Sequence, residues 1–204
     1  MSSSLFSIIP AKPLTQAKTR LAAVLSLKER IDLSYRLLQH TISLALQVGE
    51  VVVVSRDGRV RQLAKQAGAW AIVEAGTTMN EALRQASAWV TTRGAQAILI
   101  LPGDLPLLTV SDLRQIIEMA EPQTPAMVVA PCHRLDGTNA LFLRPPGLID
   151  FGFGVGSFER HQQAARARGL EPIIYRSPTI ALDLDLPEDL SAWRLKDNRL
   201  RISG

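Results

Sequence analysis

Three acids in this sequence are placed where a divalent cation could be held. Asp104 follows an apolar run at 96–101 and lies in a stiff loop, Pro102-Gly103-Asp104-Leu105-Pro106. A lone carboxylate there could cap the next helix, but Thr109 and Ser111 are better placed for that, which leaves metal or ribose binding. Asp183 and Asp185 are two residues apart, so on an extended chain their side chains share one face. Carboxylates on one face repel unless a cation lies between them or one is protonated. Asp185 could instead cap a helix starting near Pro187. Both roles are compatible, with Asp183 on the metal and Asp185 shared. Oxygen-only ligands beside phosphate substrates point to Mg²⁺ rather than zinc.

The complementary charges come early. Lys12, Lys18 and Arg20 fall within nine residues, in the loop after the apolar run Leu5 to Ile9. Ligands of open α/β sheets bind beyond the carboxyl ends of strands, so a cationic loop there suits a polyanion, with a nucleoside triphosphate as first candidate. A solvated basic loop is the competing reading. Two later stretches could take a second anion. Asp136-Gly137-Thr138-Asn139 is a polar turn entering a strand, where Thr138 and Asn139 either donate to a ligand or close the turn. Phe151-Gly152-Phe153-Gly154-Val155-Gly156-Ser157 runs into a helix, whose free amides favour anions, and Ser157 is the expected cap. His161 lies one turn further on, either flanking the same ligand or solvated.

Other chemistries lack support. The glycine stretch opens no first strand–helix–strand unit, so a dinucleotide fingerprint does not fit, and no Gly-Lys-Ser/Thr follows to make a P-loop. There is no Gly-x-Ser-x-Gly elbow. His40, His133 and His161 do not have metal-ligand spacing. The single Cys132 excludes an internal disulfide and a cysteine zinc cluster. Net charge is +4 and aromatic content 5%, with no interleaving of aromatics and cations, so nucleic acid is not expected as a partner. No apolar run approaches a membrane span, and the start does not read as a signal peptide. The expectation is a cytoplasmic protein away from membranes.

These groups need a frame, and the hydrophobic pattern supplies one. Length and a hydrophobic content of 47% suit a single domain over 1–204. Ser26-Leu27-Lys28-Glu29 and Thr78-Met79-Asn80-Glu81 are capping boxes. The first opens a helix to about Val48, with Gly49 as its stop. The second opens one to about Thr92. Further helices are expected at 59–66, 111–120 and 157–168, and another after Pro187. Strands are expected at 51–54, 69–73, 96–101, 126–130, 140–143, 172–175 and 180–184. Alternation of this kind predicts an α/β fold with a mainly parallel sheet. The break at 126–156 predicts a β-rich insertion or an antiparallel strand.

Taken together, Ile-Pro-x-Lys…Ala-Lys-Thr-Arg-Leu, Gly-Asp-Leu-Pro-Leu-Leu, Gly-Thr-Asn-Ala-Leu, Gly-x-Gly-Ser-Phe and Asp-Leu-Asp-x-Pro-Glu-Asp-Leu resemble the CofC (FbiD) guanylyltransferases of coenzyme F-420 biosynthesis. The resemblance is collinear over about residues 5 to 193. It implies a single-domain, Rossmann-like and MobA-like nucleotidyltransferase fold. It implies GMP transfer from GTP to a three-carbon phospho-acid, with phosphoenolpyruvate first, then 2-phospho-L-lactate, then 3-phosphoglycerate. It matches Asp104, Asp183 and Asp185 to metal ligands and Thr138, Gly154 and Ser157 to acceptor-binding positions. Lys12, Lys18 and Arg20, with Pro10 before them, fall in the nucleotide-phosphate loop, and Asn80 matches a position near the nucleoside. Relatives are often dimers, so a homodimer is among the options. Departure from the family is greatest at 131–136. The alternatives are another MobA-like transferase, of CMP or sugar-phosphate type, and a non-catalytic nucleotide- or RNA-binding protein.

Overall fold

The fold, taken from a computed structural model, is described for residues 4–196. Seven strands form one sheet: β1 (Leu5–Pro10), β2 (Glu50–Val54), β3 (Trp70–Ile72), β4 (Ala97–Ile100), β5 (Ala126–Pro131), β6 (Thr138–Arg144) and β7 (Ile173–Ile174). Their order is β3-β2-β1-β4-β6-β5-β7. β1, β2, β3 and β4 pair in parallel, and so do β5 and β7, while β6 runs antiparallel to β4 and β5. The break in alternation at 126–156 is therefore built into the sheet as β5 and β6, with irregular chain after them. Because β6 is reversed, its first residue, Thr138, lies at the same end of the sheet as the last residues of β1, β4, β5 and β7.

Among the described residues six α-helices complete the frame: α1 (Leu27–Ala45), α2 (Gly58–Gln66), α3 (Met79–Thr91), α4 (Val110–Ala120), α5 (Ser157–Arg166) and α6 (Pro187–Lys196). Capping boxes start α1 at Ser26 and α3 at Thr78, as expected, and a third starts α4 at Thr109 with Asp112. The strands are apolar on both faces because each face is covered. Ile9, Val51, Val53 and Leu99 pack into one core with α1 and α4. Phe6, Ile8, Val52 and Ile98 pack into the other with α3 and α5. A third cluster, including Leu21, Leu33, Leu37, Leu184 and Trp193, joins the first loop and α1 to α6.

Two expectations change. Gly49 is not the stop of α1, which ends at Ala45. A Cβ at Gly49 would meet the Leu5 carbonyl oxygen at 2.6 Å, so glycine is needed for close approach to β1. Residues 180–184 form no strand. They follow a turn and run past the carboxyl end of the sheet as irregular chain, where the Ala181 and Leu184 amides bond to loop carbonyls rather than to a ladder.

Candidate active site

β1 and β4 are neighbours, so the loops leaving their carboxyl ends meet. The loop after β1 is held by the Leu14 N–H, which donates to Asp57 Oδ2 at 3.0 Å, and by Arg30 Nη1, which donates to the Ala17 carbonyl at 3.3 Å. It turns at Lys18 in the left-handed region, φ 53°. Only Lys18 and Leu135 among the described non-glycine residues have positive φ. Such strain costs on the order of 1 kcal/mol and persists where surrounding contacts over-determine it.

That turn drives the Lys18 side chain inward until it is 6% exposed. Its Nζ lies 2.7 Å from Asp104 Oδ2 and 3.3 Å from Asp185 Oδ1. Burial alone would push the ammonium pKa down, but the charges and hydrogen bonds of Asp104 and Asp185 outweigh it and hold it above the usual lysine value. Arg20 stays exposed, with Nη1 3.8 Å from Asp185 Oδ2. Lys12 is exposed and pairs with no carboxylate among the described residues. Pro10 ends β1 beside Val54.

The later acids arrive by a route that strand patterning does not predict. Instead of a strand beside β4, the crossing segment is tied down residue by residue. The Leu184 N–H donates to the Asp104 carbonyl at 3.2 Å, and the His133 N–H donates to the Ala181 carbonyl at 2.8 Å. Asn139 Nδ2 donates to the carbonyls of Ile180 and Ala181. Further back, the Tyr175 and Thr179 hydroxyls donate to the buried Asp112 carboxylate. Burial and that carboxylate push the Tyr175 phenol up to about 12.

Asp185 does not cap α6. The amides of Asp185 and Leu186 donate to Asp189 Oδ2 at 3.0 and 2.7 Å, which leaves the Asp185 carboxylate to Lys18 and Arg20. Asp189 in turn accepts from Arg134 Nη2 at 2.6 Å. Asp183 is pushed above the usual carboxylate range, first by burial and then by Asp104 and Asp185. His133 Nδ1 at 3.7 Å and Arg134 Nη1 at 3.8 Å are beyond hydrogen-bond distance from it. Asp104 Oδ1 and Asp183 Oδ1 are both buried without a hydrogen-bond partner. Orphaned buried oxygens are costly, and a hard cation satisfies them without needing a proton. Asp104 and Asp183 thus suit a divalent ion, although no group of three acidic, His or Cys side chains among the described residues is placed to hold one.

A second group of side chains assembles beside the first. Thr138 Oγ1 is 3.0 Å from His161 Nδ1, and the Gly152 N–H donates to His161 Nε2 at 3.1 Å. His161 is 1% exposed, not solvated. Burial, followed by the nearby Arg160 charge, pushes its pKa down to about 4. The Phe153 ring meets the imidazole edge-on, with centroids 4.7 Å apart. The glycine loop is pinned further. The Phe153 N–H donates to Asn80 Oδ1 at 2.9 Å, while Asn80 Nδ2 donates to the Phe153 carbonyl at 3.2 Å. Arg160 donates to the carbonyls of Gly152 and Val155. Gly154 and Gly156 take φ 124° and 72°, and Gly156 rather than Ser157 is the N-cap of α5. Ser157 is the buried first residue of the helix, and its N–H donates to the Gly154 carbonyl at 3.0 Å.

Two charged loops therefore meet a braced pocket edge at one end of the sheet. The family model for CofC-like guanylyl transferases matches residues 5–199. The chain belongs to that family. A phosphoenolpyruvate guanylyltransferase of Rubrobacter xylanophilus is 40% identical over 203 residues, covering 98% of this chain and 95% of its own length. A 2-phospho-L-lactate guanylyltransferase of Methanocaldococcus vulcanius is 35% identical, covering 90% of this chain and 81% of its own length. Among solved structures, a nucleotide-diphospho-sugar transferase from Desulfovibrio desulfuricans superposes with a TM-score of 0.78 at 17% identity, covering 98% of this chain and 90% of the other. 4-Diphosphocytidyl-2C-methyl-D-erythritol synthase superposes with a TM-score of 0.66 at 17% identity, covering 95% and 99%. The expected nucleotidyltransferase fold is what these likenesses show.

Arg134 and Asp112 lie outside the quoted motifs, and Asp189, the last acid of Asp-Leu-Asp-x-Pro-Glu-Asp-Leu, receives no role from the sequence. Arg134 and Asp189 support the second acid pair and Asp112 anchors its approach. The clue available for Asp112 was its position three residues after Thr109, a capping-box spacing. No comparable local clue exists for Arg134, whose partner is 55 residues away.

Proposed function

We propose that the protein transfers GMP from GTP to the phosphate of phosphoenolpyruvate in coenzyme F-420 biosynthesis, releasing pyrophosphate. The observation that carries this reading is the convergence of Lys18, Asp104, Asp183 and Asp185, two of whose oxygens are buried and unpartnered. Phosphoenolpyruvate as acceptor is supported by the relatives of that name at 40% identity. An acceptor phosphate oxygen forms a bond to the α-phosphorus as the bridging bond to the β-phosphate breaks, and pyrophosphate leaves with the electron pair. The nucleophile is already deprotonated at neutral pH, so the protein needs no general base. Its task is positioning and charge neutralisation.

Lys18, kept protonated by its acidic neighbours, would face the triphosphate at the mouth of β1. Arg20 and Lys12, exposed on the same loop, would neutralise the leaving pyrophosphate. Asp104 and Asp183 would hold Mg²⁺, with Asp185 shared between that site and Lys18. Such an ion, when bound, withdraws charge from the reacting phosphates. Thr138, the amides around Gly154, and Ser157 would receive the acceptor. Cys132 is no candidate nucleophile, because burial pushes its thiol up. The test is pyrophosphate release with GTP and Mg²⁺ in parallel incubations with phosphoenolpyruvate, 2-phospho-L-lactate and 3-phosphoglycerate. Phosphoenolpyruvate should give the highest kcat/KM. Faster turnover of 2-phospho-L-lactate would reassign the acceptor, and turnover with CTP but not GTP would overturn the nucleotide.

A further inference from the structure

The hydrogen bonds around His161 determine which way each proton points. A backbone N–H can only donate, so the Gly152 N–H makes Nε2 the acceptor nitrogen of the ring. The proton of a neutral imidazole then resides on Nδ1, which faces Thr138 Oγ1 at 3.0 Å. With Nδ1–H donating, the Thr138 oxygen is the acceptor in that bond and its own hydroxyl proton is free. Thr138 is buried at the start of β6, and no protein acceptor for that proton is present among the described residues. A buried hydroxyl with an uncommitted proton is suited to one kind of partner, an oxygen that accepts but does not donate, such as a carboxylate or phosphate oxygen.

We propose that His161 is a positioning residue that sets the Thr138 hydroxyl as a dedicated donor to an anionic oxygen of the acceptor substrate. The inference rests on Thr138 touching the acceptor, as in the function proposed above. It adds a reason for the buried imidazole and a source of selectivity: the hydroxyl is oriented for acceptor-only oxygens before the substrate arrives. The edge-on Phe153 ring and the Gly152 amide hold the imidazole from the other side.

The test is steady-state kinetics of Thr138→Ala, His161→Phe, His161→Asn and the double variant Thr138→Ala/His161→Phe, with melting temperatures recorded for each. Asn keeps an amide donor near the Nδ1 position but cannot reach the Gly152 N–H. His161→Phe should raise the KM for phosphoenolpyruvate roughly five- to tenfold, the weight of one net hydrogen bond, with the KM for GTP unchanged. His161→Asn should recover most of that loss. Adding Thr138→Ala to His161→Phe should cost little more, since both lose the same oriented donor. If Thr138→Ala raises the acceptor KM while His161→Phe does not, or if the two losses multiply, the positioning role is overturned. Equal loss in His161→Asn and His161→Phe would also overturn it, assigning the histidine to loop bracing. An unchanged acceptor KM in Thr138→Ala would overturn the acceptor contact itself, and the inference with it.

Discussion

Around Lys18 the site is crowded with charge: an ammonium, three carboxylates and an exposed guanidinium, with two carboxylate oxygens left unpartnered. Around Thr138 the Arg160 guanidinium is spent on loop carbonyls and the other groups are neutral: Asn80 bonds the Phe153 backbone, the adjoining Gly152 amide bonds His161, and His161 bonds Thr138. The contrast follows the proposed chemistry. A triphosphate brings charge that must be compensated while it redistributes, so that half is built of ions poised to exchange partners. A small acceptor must be oriented, so that half is built of donors fixed in advance. Both rest on backbone departures from regular structure, at Lys18 on one side and at Gly154 and Gly156 on the other.

The largest effect expected is on the charged half. Asp104→Asn and Asp183→Asn should each lower turnover with GTP and Mg²⁺ by at least about 10²-fold, the scale of losing a group that stabilises developing charge. The fold should survive, because neither residue lies in the apolar cores. Wild-type turnover in either variant would remove it from the metal site. Asp183→Asn should also stabilise the protein at neutral pH. Its carboxylate is disfavoured by burial and by Asp104 and Asp185, so the ionised wild type is penalised and the amide is not. A gain of about 1 kcal/mol would appear as roughly 2–4 °C in Tm.

The two halves should respond to pH with opposite signs. The folded pKa of Asp183 is raised, so between the unfolded and folded values the native state binds the extra proton and stability falls as pH rises. The folded pKa of His161 is lowered from 6.5 to about 4, so in that window the unfolded state binds the extra proton and stability falls as pH drops. The full histidine effect would be on the order of 3 kcal/mol. Tm profiles from pH 4 to 8 check this. Relative to wild type, His161→Asn should gain stability on acidification below about pH 6.5, and Asp183→Asn should gain on alkalinisation. Parallel profiles would break the contrast between the halves.

Much of this frame was legible in the sequence, for local reasons. Capping boxes at Ser26 and Thr78 and β-branched runs such as 51–54 report their own conformation. The acids and Lys18 were legible as candidates because each lies near an apolar segment that ends at the ligand side of a sheet. What could not be read was the means of assembly. The crossing of 180–184 resembles a strand by composition, and its true course depends on Asn139, His133 and Asp104, all remote in sequence. Likewise Gly49 looks like a helix stop, and only the approach of Leu5 shows why glycine is there. His161 had two readings, because helical spacing does not say which face is buried.

Asn80 tests the boundary between the halves with the smallest expected effect. Family resemblance puts it near the nucleoside, yet both ends of its amide are engaged by the Phe153 backbone. Since those bonds lead to Gly152 and His161, removing them should loosen the acceptor side first. Asn80→Ala should raise the KM for phosphoenolpyruvate about two- to fivefold, in keeping with one net hydrogen bond, and move the KM for GTP less. Asn80→Asp separates the two bonds, because it keeps an oxygen for the Phe153 N–H and loses the donor to the carbonyl. It should fall between alanine and wild type on the acceptor KM. The reverse pattern, with GTP affected and the acceptor not, would place Asn80 with the charged half and shift the boundary to Phe153.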